Sequence, residues 1–379
     1  MNLRRTAIVA GIAALLMTVL IVFDGCYLVK QGCYLAADHM RAKPVRKVLA
    51  HTQDPALDSF LTAAQAIKAF AVDSLGLADD RNYTTYVETD RSYMVDVVSA
   101  ARADSFEQHQ WCYPIVGCVP YKGFYDPDDA RTLADRLRED GLDVYQWHAG
   151  AFSTLGILTD PLYTYMRKYS LFDLASLIVH EQTHATLYLR GQAQFNEELA
   201  TFVGTEGGLA FVAATLGDTS AEYRNARAQL RDKHTFREFI ERLYARLDSL
   251  YSLDIPTETK LERKRALITE SQQHFAHTYD EHFETDRYRG FAESDVNNAY
   301  LCVHATYNEE LELYYRVYEQ YGEKLKPTIA ALLGAEESSL EPKEYVQSLI
   351  EPGPGEGELR RVDEGGALDS GGFEEPVSE

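Results

Sequence analysis

His180-Glu181-Gln182-Thr183-His184 forms an H-E-x-x-H sequence inside an apolar stretch from Leu174 to Leu189. Residues four apart stand one turn above each other on a helix, so His180 and His184 present two imidazoles to one point. Neutral nitrogen donors in that arrangement suit a tetrahedral Zn2+ ion. Glu181 lies beside the first histidine, where a carboxylate reaches a water at the metal without binding the metal itself, as a general base must. A reactive zinc site takes a third protein ligand and keeps its fourth position open. Asn196-Glu197-Glu198-Leu199-Ala200, at the start of the next apolar stretch, offers that carboxylate. The competing interpretation of the motif is a pair of satisfied histidines on a buried core helix.

These residues need a scaffold, and hydrophobic spacing predicts one over residues 49–350, without repeats or low-complexity linkers. Ala56 to Leu77 carries Phe60, Leu61, Ala64, Ile67, Phe70 and Ala71 at helical intervals. Tyr83 to Glu88, Tyr93 to Ala100 and Leu142 to Trp147 have strand composition. Asp126-Pro127 supplies an N-cap and first-turn proline for a helix ending at Gly141. Helices are then expected over Leu171 to Leu189 and Asn196 to Leu216, broken at Arg190-Gly191. Two long antiparallel helices with a turn at Ile255-Pro256 follow, and then a last helix from about Asn298 to Tyr321. The expected class is α+β, predominantly helical, with a small N-terminal sheet and a helical C-terminal half.

The ends differ in kind from this body. Arg4 and Arg5 precede an uncharged apolar run, Thr6 to Phe23, of 18 residues. At about 1.5 Å per residue it spans roughly 27 Å, near the thickness of a bilayer's hydrocarbon core. Residues 1–25 are therefore expected to be a signal peptide or membrane anchor, with Gly25-Cys26 as an alternative lipidation point, and the body outside the cytoplasm. Residues 351–379 hold nine acidic and two basic side chains and many glycines, the composition of a disordered acidic tail. Overall, 37 Lys and Arg against 59 Asp and Glu give a net charge of −22 over 379 residues. A nucleic-acid partner is not expected at that charge, because such affinity rests on neutralising phosphates with cations. Five cysteines are too few for a disulfide-built scaffold, so the fold must rest on its core.

Residues 49–337 resemble a bacterial family of zinc-dependent aminopeptidases that are exported or lipid-anchored. The matching segments are Trp111 to Gly123, Phe152-Ser153-Thr154-Leu155-Gly156 with Asp160-Pro161, the H-E-x-x-H helix, Phe195-Asn196-Glu197 and Asn297-Asn298-Ala299. The chain departs from the family at Phe152, where Tyr is usual, and at Gln182, where an apolar residue is usual. Thr186 also stands where most zincin helices are apolar. The resemblance implies a zincin-like metallopeptidase with zinc on His180, His184 and Glu197 and with Glu181 as catalytic carboxylate. In zincins with a glutamate ligand the carboxylate directly follows the polar residue of an N-E-x-x-A element, which selects Glu197 over Glu198; Glu198 is either a group that binds a substrate amine or, as expected here, a surface carboxylate.

The expected function is zinc-dependent hydrolysis of peptide substrates at the cell envelope, with the membrane as a partner through the N-terminal segment. Aminopeptidase preference rests on the resemblance alone, since no Gly-x-Met-x-Asn amine-binding strand is present. An endopeptidase of the same fold and a non-catalytic membrane-tethered envelope protein are the alternatives. Tyr307 is the candidate donor to the developing oxyanion. Val144 to Trp147 is either an edge strand that pairs with substrate or an interior strand. Cys112 and Cys118 form either a disulfide or two free thiols. His274, His277 and His282 are expected on a solvated helix face, and Cys302 in a packed one.

Overall fold

A computed structural model of the protein describes residues 25–113, 117–150, 159–306 and 311–350. Helix α1 (Gly25–Arg41) leads through strand β1 (Lys43–Pro44) and helix α2 (Val45–Leu49) to helix α3 (Pro55–Phe70). Asp54 caps α3 by accepting from the Ala56 and Leu57 amides, and Pro55 takes a first-turn position where no amide need be satisfied. The helix widens into a π-helical turn, Ala71–Leu75, closed by Gly76 at φ +81°.

The first two expected strands form but enter different sheets. Strand β2 (Thr85–Val87) pairs antiparallel with β1 and parallel with a later strand, Leu162–Tyr163. Strand β3 (Val95–Arg102) is the centre of an antiparallel sheet. A hairpin of β4 (Trp111–Tyr113) and β5 (Gly117–Val119) brings Cys112 opposite Cys118, and the two are disulfide-bonded. Strand β6 (Tyr121–Phe124) and strand β7 (Leu142–Ala149) flank β3; β8 is Leu162–Tyr163. Seven consecutive residues of β3 are buried, because helix α4 (Pro127–Glu139) covers one face and the main core the other. Cover on both faces buries even its polar members, Asp96 and Ser99, among the apolar residues. The Asp126 side chain caps α4 as expected, and Gly141 takes φ +80° after its end.

Helices dominate the rest: α5 (Leu171–Thr186), α6 (Ala193–Leu216), the long hairpin of α7 (Ala221–Tyr251) and α8 (Thr257–His282), and then α9 (Asn298–Thr306), α10 (Glu312–Gln320), α11 (Leu325–Leu333) and α12 (Pro342–Ser348). Helices α9 and α10 occupy the span expected as one helix; residues 307–310 between them, Tyr307 included, lie outside the described residues. Helix α6 is long and apolar enough to cross a bilayer, but its apolar side chains are spent on the core. The described residues are thus mostly helical with small sheets, compatible with an α+β class.

A buried polar junction joins the α7–α8 hairpin to the β3 sheet. Lys264 of α8 pairs with Asp143 of β7 and donates to the Ala103 carbonyl. Asp143 also accepts from the Asn298 amide, while the Asn298 side chain donates to the Arg102 and Ser105 carbonyls and accepts from the Tyr251 hydroxyl. Asn297 donates to the Val144 carbonyl. The side chains of the Asn297-Asn298 pair therefore satisfy backbone carbonyls of three distant residues, Val144, Arg102 and Ser105. Cys302, buried beside Ala101 and Ala299, serves packing as expected.

Residues 25–48, placed by the sequence reading ahead of the body, are docked on it. Tyr27 donates to the Gly123 carbonyl, Lys30 pairs with Asp126 and Asp129, and Gln31 accepts from the Tyr125 amide. Asp38 is 1% exposed and bridges Arg41 of its own helix to Arg91 of the body. Removing one partner of a buried pair leaves the other charge uncompensated. Asp38→Ala should cost about 3 kcal/mol in chemical denaturation, whereas an unchanged midpoint would mean that α1 is no part of the cooperative fold.

Candidate metal centre

Helix α5 starts at Ser170, whose hydroxyl oxygen accepts from the Asp173 amide while its O–H donates to the Asp173 carboxylate. Leu174, Ala175, Ile178 and Val179 face the main core, which leaves His180 and His184 on a face partly open to solvent. The two departures from the usual apolar pattern have a shared task. Gln182 donates to the Ala78 carbonyl at 2.8 Å, and Thr186 accepts from the Ala78 amide at 2.9 Å. Together they clamp both polar groups of one peptide segment that would otherwise lie unpaired against the helix. Spacing flagged these residues as unusual, but nothing local in sequence pointed to Ala78.

The return from α5 to α6 is fixed by Asn196. Its side chain accepts from the Leu189 amide at 2.9 Å and donates to the Leu189 carbonyl at 2.8 Å, and it is 2% exposed. Gly191 supplies the φ of +80° that the turn requires. Glu197, the next residue, is thereby aimed back at α5. Three glycines of α6 then allow the helices to close. A Cβ on Gly204 would stand 2.8 Å from the Ser176 carbonyl oxygen and 3.0 Å from His180 Cβ; one on Gly208 would stand 2.3 Å from Ser176 Oγ. Sequence reading missed this stripe, whose signal was Gly204, Gly207 and Gly208 recurring on one face of an apolar helix.

These two supports bring three donor atoms together. His180 Nε2 and His184 Nε2 are 3.1 Å apart, and the Glu197 carboxylate oxygens lie 3.6 Å and 3.4 Å from them. A tetrahedron with zinc–ligand bonds of about 2.0–2.1 Å has edges of about 3.3–3.4 Å. The donor set therefore fits a zinc ion in both chemistry and spacing, and it is the group of this kind found among the described residues. The Nδ1 of His184 is buried without a partner. Hydrogen bonding from His180 and His184 holds the Glu197 carboxyl far below the usual carboxylate range.

Glu181 is 9% exposed, and burial pushes its carboxyl upward while the charges of His180 and His184 oppose the rise. Glu198, expected at the surface, is instead 5% exposed; it accepts from Gln194 at 2.8 Å and from the Tyr314 hydroxyl at 3.4 Å. One residue of helical rotation turns it from the ligand face into the core. His274, His277 and His282 are exposed on α8, as expected. Tyr307 and Phe152 to Gly156 lie outside the described residues.

Helix propensity alone would favour Ala over Gly at position 204 by about 1 kcal/mol. The close contact with Ser176 and His180 predicts the opposite sign: Gly204→Ala should lower the melting temperature and weaken zinc binding roughly 10-fold or more. A variant that melts higher and binds zinc like the parent would show that the helix contact does not set the ligand geometry.

A sequence model of the family described as putative aminopeptidase matches residues 27–344, most of the chain. No curated protein and no solved structure matches significantly. The family's name supports a peptidase role in broad terms. The matched span opens within α1, which the structure docks on the body, and closes within α12, so it takes in both helices of the donor cluster and all their supports. The chain belongs to the putative aminopeptidase family.

Proposed function

We propose that the protein is a zinc-dependent peptidase of zincin-like fold, acting as an aminopeptidase on peptides outside the cytoplasmic membrane. The observation that carries this reading is the convergence of His180 Nε2, His184 Nε2 and a Glu197 oxygen at ligand spacing, with the buried Glu181 next in chain to the first of them. A zinc ion held there supplies Lewis acidity, acidifying a water and polarising the scissile carbonyl. A closed structural site would take a fourth protein ligand and would have no use for Glu181.

The chain's own groups divide the remaining work. Glu181 takes the proton of the attacking water and returns it to the leaving amine, a role helped by burial, which raises its affinity for that proton. Glu197, kept ionised by its histidine neighbours, remains a ligand. Strand β7 lies at the edge of its sheet and is the candidate for pairing with an extended peptide. Tyr307 is proposed as the oxyanion donor from its place in the sequence.

The Cys112–Cys118 disulfide supports an oxidising compartment, where such bonds persist. That agrees with export through the N-terminal segment, of which residues 1–24 lie outside the described residues. We propose that either a retained span or a lipidated Cys26 holds the body at the envelope.

Purified protein should carry about one zinc per chain, and Glu181→Gln should keep that zinc while losing hydrolysis of a mixed peptide library by roughly 10²-fold or more. Mapping of cut positions by mass spectrometry should show single residues released from N-termini; internal cuts would make it an endopeptidase. Zinc binding with no cleavage, or a Glu181→Gln variant as active as the parent, would overturn the mechanism.

A further inference from the structure

Helix α1 reverses the pattern of an ordinary surface helix, which turns its apolar stripe to the core and its charges to water. Towards the body it sends polar groups: the Tyr27 hydroxyl to the Gly123 carbonyl, Lys30 to Asp126 and Asp129, the Gln31 side chain to the Tyr125 amide, and Asp38 to Arg91. The opposite face carries Val29, Cys33, Ala36 and Met40 at i, i+4, i+7 and i+11. All four are exposed, Val29 by 55% and Met40 by 81%. Gly32 lies among them and exposed Leu28 flanks them. No charged side chain falls on that stripe over the 17 residues of the helix, a length of about 25 Å.

Single exposed apolar side chains are ordinary, whereas a continuous stripe marks a contact. Two further observations say with what. Asp24 alone separates α1 from the uncharged apolar run of residues 6–23. In a chain of net charge −22, residues 39–53 hold no carboxylate and carry Arg41, Lys43, Arg46 and Lys47. All four cations are exposed, and among the described residues only Arg41 enters an ion pair, with Asp38. An apolar stripe that runs into unpaired cations matches the two layers of an anionic bilayer surface, the acyl boundary and the headgroups.

We propose that the outward face of α1 is a membrane-docking surface: the helix lies along the bilayer with Val29, Cys33, Ala36 and Met40 at the acyl boundary, while Arg41, Lys43, Arg46 and Lys47 meet anionic headgroups. The polar face of α1 is committed to the body, so only the stripe enters the lipid. Because the Asp38–Arg91 pair fixes α1 on the body, this contact sets which side of the body faces the membrane, which a tether alone leaves free. The inference rests on the placement of the body at the envelope and not on its peptidase chemistry.

The test uses the full-length chain in vesicles of phosphatidylglycerol and phosphatidylethanolamine, with and without bromine on the acyl chains. Flotation shows first that the chain is anchored. Met40→Trp puts a fluorophore on the stripe, and Leu253→Trp puts one on an exposed apolar site in the turn between α7 and α8; the parent supplies the background of Trp111 and Trp147. The Met40→Trp signal should shift to the blue and lose roughly half of its intensity to brominated lipid, about 3-fold or more the loss seen with Leu253→Trp. Changing Lys43, Arg46 and Lys47 together to Glu should lower that quenching about 2-fold or more, with anchoring and melting temperature unchanged. Emission from position 40 at its value in water, equal quenching at the two positions, or quenching indifferent to the three cations would each overturn the proposal. A blue shift without quenching by bromine would also overturn it, in favour of a second copy of the chain on the stripe. A chain that does not float overturns the envelope placement and this contact with it, and leaves the peptidase chemistry to its own test.

Discussion

The close contact between α5 and α6 is the constraint on which the rest of the structure depends. Two of the three donor atoms come from α5 and the third from α6, so the ligand set exists only while the helices keep their separation and phase. Separation is set by Gly204, Gly207 and Gly208, each of which occupies a place where a Cβ would meet atoms of α5 at 3 Å or less. Phase is set by Asn196 through both of its hydrogen bonds to Leu189. Ile178, Val179, Leu199, Phe202 and Val203, all fully buried, supply the apolar contact that holds the pair together. Small residues at a helix contact forgo some burial of their own, and here they gain close approach of two backbones.

Carboxylates of one type take different roles because their surroundings differ. Glu197 is half-exposed and lies against two imidazoles, which keep it ionised and available as a ligand. Glu181, next in chain to His180 but 9% exposed, is raised by burial and is suited to accept a proton. Glu198 and Glu206 are turned inward against tyrosine hydroxyls and serve packing of α10 on α6. The overall charge of −22 distinguishes none of these, and about a third of it belongs to residues 351–379. A net charge describes the field around a protein, whereas chemistry follows from the local dielectric and the nearest partners.

The donor residues were legible in the sequence because i,i+4 spacing maps directly onto one helix face, and a turn followed by Asn-Glu maps onto a return helix. Caps at Asp126 and helix boundaries near Pro55 and Gly141 were legible for the same reason: each is decided by neighbours in sequence. What escaped depends on contacts between distant segments. Gln182 and Thr186 looked like defects in an apolar helix until Ala78 was seen between them. Glu198 was expected in solvent, because nothing near it in sequence announces Tyr314. The separation of β2 and β3 into two sheets, and the docking of α1 through Asp38 and Arg91, likewise rest on pairings that no local pattern encodes.

The central claim is that one zinc ion is held by two imidazoles and one carboxylate. X-ray absorption at the zinc edge of the purified protein tests it most directly. Two nitrogen ligands from imidazole and light oxygen donors are expected, all at about 2.0–2.1 Å, with outer-shell scattering from two rings and no sulfur contribution. A sulfur distance near 2.3 Å, or the scattering of fewer than two imidazoles, would contradict the assignment of His180, His184 and Glu197.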